Sequence, residues 1–469
     1  MAQQNIRKIR ASRPMFLKPV SAIFPLLVLS GCLTLDMPEV QVKRAPAEQV
    51  LTWKELVRET LDKNPDLQSA RYAVTASERS RDIAFGDYFP SVDGVLQRSV
   101  SSNASSGLGS SGNNSSGNTS GGGGGGTRNR FSLDVVANQS LFDGFKTTGN
   151  WIKARKNLSA IRYAYLGVSA DVRNKLRLAY INLMRLQRLY DVNRRISERR
   201  KQNAELVKLR YEAGRENLGS SMRAEAIMEQ AFFDVRLTAR HRESETIRLA
   251  RETGGDFVLP VYIDDDIEKL LPALPTSTPD YAALAEETPN VLQQIKLAEA
   301  LKAEVVAAQS EIWPHLDGNA DYGNSGTRPG NMGNERSIGL VATLPFFNGG
   351  KNIEGIAKAK ADYDSARETA IAARNETLAN LADAWAKYVD AIEFVAVRWK
   401  FLEASRKRAE IIRVQYATGL SGFQDFDIAE QENADAEKSY VESLAAVLTA
   451  QANWELIKGE TLEEVLNEH

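Results

Sequence analysis

The chain has 469 residues with Lys+Arg 59 against Asp+Glu 61, a formal net charge of −2, so it lacks the basic field of a nucleic-acid binder. One cysteine and three histidines exclude an intrachain disulfide framework and a Cys/His zinc cluster, and no metal site or cofactor is assigned. A mean hydropathy of −0.35 with 26% charged residues excludes a bundle of membrane-spanning helices, so any membrane role must come through β-strands or a lipid.

Arg7, Lys8, Arg10, Arg13 and Lys18 precede the short apolar stretch 22–29, the pattern of a signal peptide over 1–31. Leu29-Ser30-Gly31-Cys32 resembles a bacterial lipobox, which makes Cys32 the expected attachment point of a covalent lipid. Leu33 stands where an aspartate would resemble an inner-membrane retention signal, so the sorting cue favours the outer membrane of a Gram-negative bacterium. Residues 32–50 read as a tether.

The rest of the chain repeats itself. Pro65, Pro90 and Gly94 match Pro289, Pro314 and Gly318 at an offset of 224; Phe142, Gly144, Lys146, Tyr211, Gly214, Ala224 and Glu225 match Phe347, Gly349, Lys351, Tyr416, Gly419, Ala429 and Glu430 at an offset of 205. The offset drops across the Gly/Ser/Asn-rich stretch 101–127, which reads as an exposed loop peculiar to the first copy. The division is thus 51–254 for the first repeat, 255–280 for a Pro-rich connector, 281–460 for the second repeat and 461–469 for a tail.

Within each repeat the hydrophobic period passes from helix to strand and back. Residues 52–88 read as helix with a break at Asn64-Pro65, where asparagine caps and proline opens the next segment. Strands are expected at about 89–100 and 128–142, in which Phe131, Leu133, Val135, Ala137 and Leu141 alternate with polar neighbours. The second copy supplies 281–313 as helix, then strands at about 314–324 and 335–347. Leu316, Gly318, Ala320 and Tyr322, then Ile338, Leu340, Ala342, Leu344 and Phe346, keep the same period of two. Long proline-free helical runs follow at about 146–213 and 351–416, each ending at a glycine, with returning helices at 217–253 and 424–458. The first long run would extend ~100 Å.

Four strands cannot stand alone in lipid, because an open sheet leaves edge groups unsatisfied; closure into a barrel of at least ~8 strands requires further copies. Tandem halves of helix, β-hairpin and long helical hairpin, joined by Ser140-Leu-Phe-Asp-Gly-Phe-Lys146 and Pro345-Phe-Phe-Asn-Gly-Gly-Lys351, resemble the outer-membrane factor (TolC-like) family. The resemblance implies a mainly α fold with a membrane β-barrel: a homotrimer sharing 12 strands, and a helical tunnel across the periplasm. It also implies the role of exit channel in a tripartite efflux or type I secretion assembly, passively conducting substrates delivered by an inner-membrane pump through a periplasmic membrane-fusion adaptor. The alternative is a periplasmic coiled-coil adaptor or structural lipoprotein without a channel, which would not need two alternating hairpins per chain. No nucleophile motif or phosphate-cradling loop points to an enzyme; the glycines of 121–126 are not followed by Lys-Ser/Thr.

Two sets of residues are singled out. Arg210, Tyr211, Gly214 and Leu218 occupy the first helix-to-helix turn, and Gln415, Tyr416, Gly419 and Leu420 the second; the resemblance makes these tips the adaptor contact, while a left-handed cap alone would explain the glycines. The family's aperture aspartates, counted from Gly419, fall on Asp425 and on Ile428, with Asp427 one residue off. A ring of carboxylates would favour cations, whereas the helix dipole alone would account for acids in a first turn.

Overall fold

Residues 49–102, 127–255, 261–328 and 330–467 are described by the structure, a computed structural model of the chain. The expected signal peptide, Cys32, most of the tether and the Gly-rich loop over 103–126 lie outside the described residues. The elements run β1 (Gln49–Leu51), α1 (Trp53–Lys63), α2 (Pro65–Gly86), β2 (Ser91–Ser102), β3 (Thr127–Phe142), α3 (Lys146–Glu212) and α4 (Leu218–Thr253). They continue with β4 (Val261–Ile263), α5 (Tyr281–Glu287), α6 (Pro289–Gln309), β5 (His315–Arg328), β6 (Asn331–Thr343), α7 (Lys351–Thr418), α8 (Phe423–Lys458) and α9 (Leu462–Asn467).

Asn64 makes the break between α1 and α2. Its side-chain oxygen accepts from the backbone of Asp66 at 2.9 Å and Leu67 at 3.1 Å, Pro65 opens α2, and its amide donates to the Glu252 carbonyl at the end of α4. The single helix expected over 281–313 is instead three pieces, α5, α6 and a 3₁₀ turn over Ser310–Ile312. Thr288-Pro289 breaks it where Asn64-Pro65 breaks the first copy, since proline disfavours the helical conformation in the residue before it.

Buried positions on α3 follow a heptad-like rhythm: Val172, Leu176, Ala179, Leu183, Leu186, Asn193, Ile196, Arg200, Asn203 and Val207. On α7, Ala370, Thr377 and Ala384, then Leu402, Ala409 and Tyr416, recur every seven residues. The α3 helix packs on α4, α6 and α8, and α7 packs on α6 and α8. Antiparallel α3 and α6 are laced by Lys153–Glu304 and Lys156–Glu299, the latter at 2.5 Å, and Lys146 at the start of α3 reaches Glu311 in the 3₁₀ turn after α6 at 2.8 Å. The largest apolar core lies midway down the helices, where Leu56, Leu176, Tyr180, Leu183, Leu249, Leu444 and Leu448 meet the short parallel pair β1–β4 and helix α9. Each such leucine contributes roughly 1.5–3 kcal/mol by burial. No helix among the described residues is long and apolar enough to cross a membrane.

The four long strands form one antiparallel sheet in the order β2-β3-β5-β6. Its registers obey the sequence offsets: Gly94 pairs with Val135 and Gly318 with Leu340, and Leu96 pairs with Leu133 and Ala320 with Ile338. Both β5 and β6 reach further into the Asn/Gly-rich turn than expected, and Arg328 pairs with Asn331. At its other end β6 stops at Thr343 rather than 347, leaving Leu344 and Phe346 outside the strand. Pro345 lacks the N–H a ladder needs, and its counterpart in β3, Ser140, is where the β3–β5 register breaks.

Candidate functional site

The two helix-to-helix turns lie side by side. Gly214 at φ 69° and Gly419 at φ 84° end α3 and α7 in the left-handed conformation. The backbone N–H of Arg215 donates to Arg210 O and that of Leu420 to Gln415 O, both at 2.8 Å, so the two tips are copies of one Schellman cap.

The side chains around them divide into two groups. Tyr211, Leu218 and Leu420 are exposed, Leu420 at 81%. Tyr416 is fully buried, stacked on Phe426 with ring centroids 4.6 Å apart and 4° between planes. The Arg210 guanidinium lies 4.5 Å over its other side and donates to its backbone carbonyl, and the Tyr416 hydroxyl donates to Glu216 at 3.0 Å. Burial, then the Glu216 carboxylate, push the phenol well above its ordinary value. Arg210 and Tyr416 therefore fasten the first turn to the second within one chain, which their places in the sequence did not reveal. Gln415 is half-buried and offers its carbonyl to the cap.

One turn further along α8 the two aspartates separate. Asp425 is exposed and accepts from the Ser421 hydroxyl at 3.5 Å. Asp427 is buried between α3 and α4, 3.6 Å from Arg200 and 2.9 Å from Arg223. Arg200 is itself buried, and desolvation lowers its pKa against the pull of Glu430 and Asp427. Arg413 pairs with the buried Glu430 to tie α7 to α8, and Lys438 reaches Asp234 at 2.9 Å to tie α8 to α4. Sequence reasoning missed Arg200, Arg223 and Glu216 because their partners are remote, the one signal being that several of these links span about one repeat; it missed Phe426, ten residues from Tyr416, because the turn between them hides that the two rings stack. Among the described residues no group of three or more His, Cys, Asp or Glu is placed to hold a metal ion.

At the other end of the long helices the sheet has two unlike faces. Directly opposed residues share a face, so the registers place Val92, Leu96, Leu133, Val135, Ala137, Leu316, Ala320, Tyr322, Ile338, Leu340 and Ala342 together. This apolar face is open, with Leu96 81% and Ile338 89% exposed. The opposite face carries Asp93, Asp134, Asp317, Asp321, Asn138 and Asn319, and there Arg130 meets Glu335 at 2.9 Å. Strands apolar on one side and polar on the other, with β2 and β6 each paired on one edge only among the described residues, have the make-up of a section of a membrane barrel.

The model of the outer membrane efflux protein family matches residues 56–255 and 281–460. The chain belongs to that family. It is 25% identical over 360 residues to the outer membrane efflux protein BepC of Brucella suis biovar 1 (strain 1330), covering 72% of each chain. Its fold is that of the outer-membrane channel OprN (TM-score 0.75, 20% identity, 87% of this chain and 90% of that one). The Campylobacter jejuni CmeC outer membrane channel is similar as well (TM-score 0.73, 16% identity, 96% and 97% covered). The chain is thus an outer-membrane efflux protein that lies in the outer membrane and extends into the periplasm.

Proposed function

We propose that the chain, as a homotrimer, forms the exit channel of a tripartite efflux or type I secretion assembly and conducts substrates passively from an inner-membrane pump. The observation that carries this reading is the two-faced sheet with one free edge on β2 and one on β6. Lipid cannot satisfy open edges, and three copies of the four-stranded sheet make a barrel of about 12 strands, within the range of outer-membrane barrels. The polar face then lines a water-filled lumen, continuous with a tunnel of helices ~100 Å long. The protein works by conduction rather than catalysis.

The exposed Tyr211, Leu218 and Leu420 offer the adaptor an apolar rim at the tip, while Gly214, Gly419, Arg210 and Tyr416 hold that rim in shape. Asp425 stands at the aperture beside it. A lipid on Cys32 assists sorting and assembly, each buried acyl CH₂ adding ~0.8 kcal/mol.

Single-channel recording in planar bilayers tests the reading. Stable conductance from purified trimers is the expected outcome; trimers that insert and never conduct would sink it. Bulky polar replacements at Leu218 and Leu420 should abolish export without loss of the trimer, and Cys32→Ser should abolish fatty-acid labelling.

A further inference from the structure

We infer that the cleft between α6 and α7 is a docking site for a short acidic amphipathic helix of a partner protein, seated there as α9 is seated in the first repeat. The site adds a second interaction surface to the channel proposed above and does not depend on how substrates move through it.

The two repeats differ at this place. In the first, α9 lies against α1 and α3. Leu462 and Val465 are buried in the largest core, and the Glu463 carboxylate accepts from the Tyr165 hydroxyl at 2.6 Å and the Ser169 hydroxyl at 2.5 Å. Leu462, Val465 and Leu466 stand at i, i+3 and i+4, the anchor spacing of a helix laid into a groove. Counting 205 residues on from α3 puts Ala370 in the place of Tyr165 and Arg374 in the place of Ser169. Among the described residues no segment fills this second place as α9 fills the first. Residues of α5, α6 and α7 border an open cleft there of about 520 Å³, the size of an ordinary ligand pocket (~300–1,000 Å³).

The lining selects the occupant. Ile295, Ala298, Ala370 and Ile371 give the cleft apolar walls, with Ile371 46% and Ile295 36% exposed. Both acids of the cleft are already engaged: Glu286 by Arg374 at 2.9 Å, and Glu299 by Lys156 at 2.5 Å and Lys296 at 2.8 Å. Lys302 has no acid partner among the described residues, and Arg367 meets only Glu368, its neighbour in the chain, where both side chains are more than half exposed. The uncommitted charge of the cleft is therefore positive. The occupant of the matching site carries the opposite sign, since 461–469 contains Glu463, Glu464 and Glu468 and no lysine or arginine. Alanine in the place of tyrosine makes room, and an arginine in the place of serine raises the positive charge. A helix with leucines at i, i+3 and i+4 would cover Ile295 and Ile371, and its acids would bond Lys302 and Arg367, charge-assisted contacts stronger than neutral ones.

Fluorescence anisotropy on the full chain, purified in its native assembly, tests the site with a labelled Thr461–His469 peptide as the probe. The expected result is saturable binding of one peptide per chain. Lys302→Glu with Arg367→Glu, Ile371→Asp, and glutamine at both 463 and 464 of the peptide should each weaken it at least ~5-fold, with the protein variants melting as wild type does. Ile371→Cys should react with a maleimide in the assembled protein. No binding overturns the inference. Binding indifferent to the cleft variants means that the peptide enters the first repeat's site in competition with α9, and overturns it too. Dodecanoate binding at the cleft without peptide binding would assign it to a small amphiphile, and protection of Ile371→Cys in the assembly would mean that the next copy closes it; either outcome removes the partner. Bilayer recording decides the channel reading separately, so the two can fail independently.

Discussion

Arg130 on β3 and Glu335 on β6 occupy the same position in the two repeats, 205 residues apart, and meet across β5 at 2.9 Å with Ser325 between them. Two structurally equivalent sites have thus taken opposite charges, and the pair neutralises itself on a face otherwise carrying Asp93, Asp134, Asp317 and Asp321. Arg130→Gln would release Glu335 and add one uncompensated carboxylate per chain. Both side chains are more than half exposed, so the pair adds little to stability. The expected effect is on conduction: a roughly twofold rise in cation-over-anion permeability, within what a charge beside water-filled space can supply. Reversal potentials under a salt gradient measure it, and Glu335→Gln should move them the other way.

Tyr416 is the keystone of the tip. Tyr416→Ala removes a fully buried ring, its stack on Phe426 and the seat of the Arg210 guanidinium, a loss of ~3–5 kcal/mol by analogy with other large-to-small changes. Tyr416→Phe keeps the ring and loses only the bond to the Glu216 carboxylate, about 1.5 kcal/mol, the low end for a bond to a charged group because Glu216 is only half-buried. Hydrogen exchange over the two turns should show the first variant opening both tips together and the second staying close to wild type. Opening of the second turn alone would mean the tips are not coupled through this residue.

What could be read from the sequence follows from how local each determinant is. The offsets of 224 and 205 predict hairpins in equivalent registers because one residue of slip would turn every side chain to the wrong face. The breaks at Asn64-Pro65 and the caps at Gly214 and Gly419 are local too, set by an asparagine side chain, a proline ring or a left-handed backbone. β6 ends at Thr343, short of the 347 that alternation through Leu344 and Phe346 predicts, because Pro345 ends the ladder. Tyr416 and Asp427 read as outward-facing from the sequence because their polar partners are not near them; only the Phe426 ring, ten residues on, is close to Tyr416 in the chain. Those polar partners are Arg210 and Glu216, and Arg200 and Arg223, about two hundred residues away, brought in through the packing of one helical hairpin on the other.

The junction between sheet and helices should be sensitive to acid. The Lys146 ammonium, bonded to Glu311 at 2.8 Å, holds that carboxyl below its usual value. A depressed carboxyl stabilises the fold above its unfolded pKa and loses that contribution as pH falls through the folded value, so the window lies below about pH 4.5. Lys146→Met should therefore lower stability at neutral pH by no more than about 1 kcal/mol, because the pair is half exposed. The difference from wild type should shrink as pH falls below about 4.5 and disappear once the carboxyl is protonated in the folded state as well. A difference that persists unchanged in acid would assign the loss to packing of the lysine stem.

Asp425 and Asp427 stand two residues apart on α8 and should behave in opposite ways. Asp425 is exposed in the first turn, where the helix dipole favours an acid by ~0.3–1 kcal/mol. Asp425→Ala should thus cost little stability while lowering cation preference and weakening block by multivalent cations in bilayer recordings. Asp427 is held between Arg200 and Arg223, and Asp427→Asn would leave the buried Arg200 short of a counter-charge. Breaking a buried pair from one side costs ~3–5 kcal/mol; Glu430, which also attracts Arg200, and the exposure of Arg223 place this variant toward the lower end. Its loss should show as a lower melting temperature and faster proteolysis of the α3–α4 and α7–α8 tips, with selectivity changed only through that loosening. If Asp425→Ala left selectivity and block untouched while stability fell, the dipole would be its whole role. If Asp427→Asn altered selectivity at full stability, the carboxylate that α3 and α4 hold in this structure would have to reach the permeation path in the working channel.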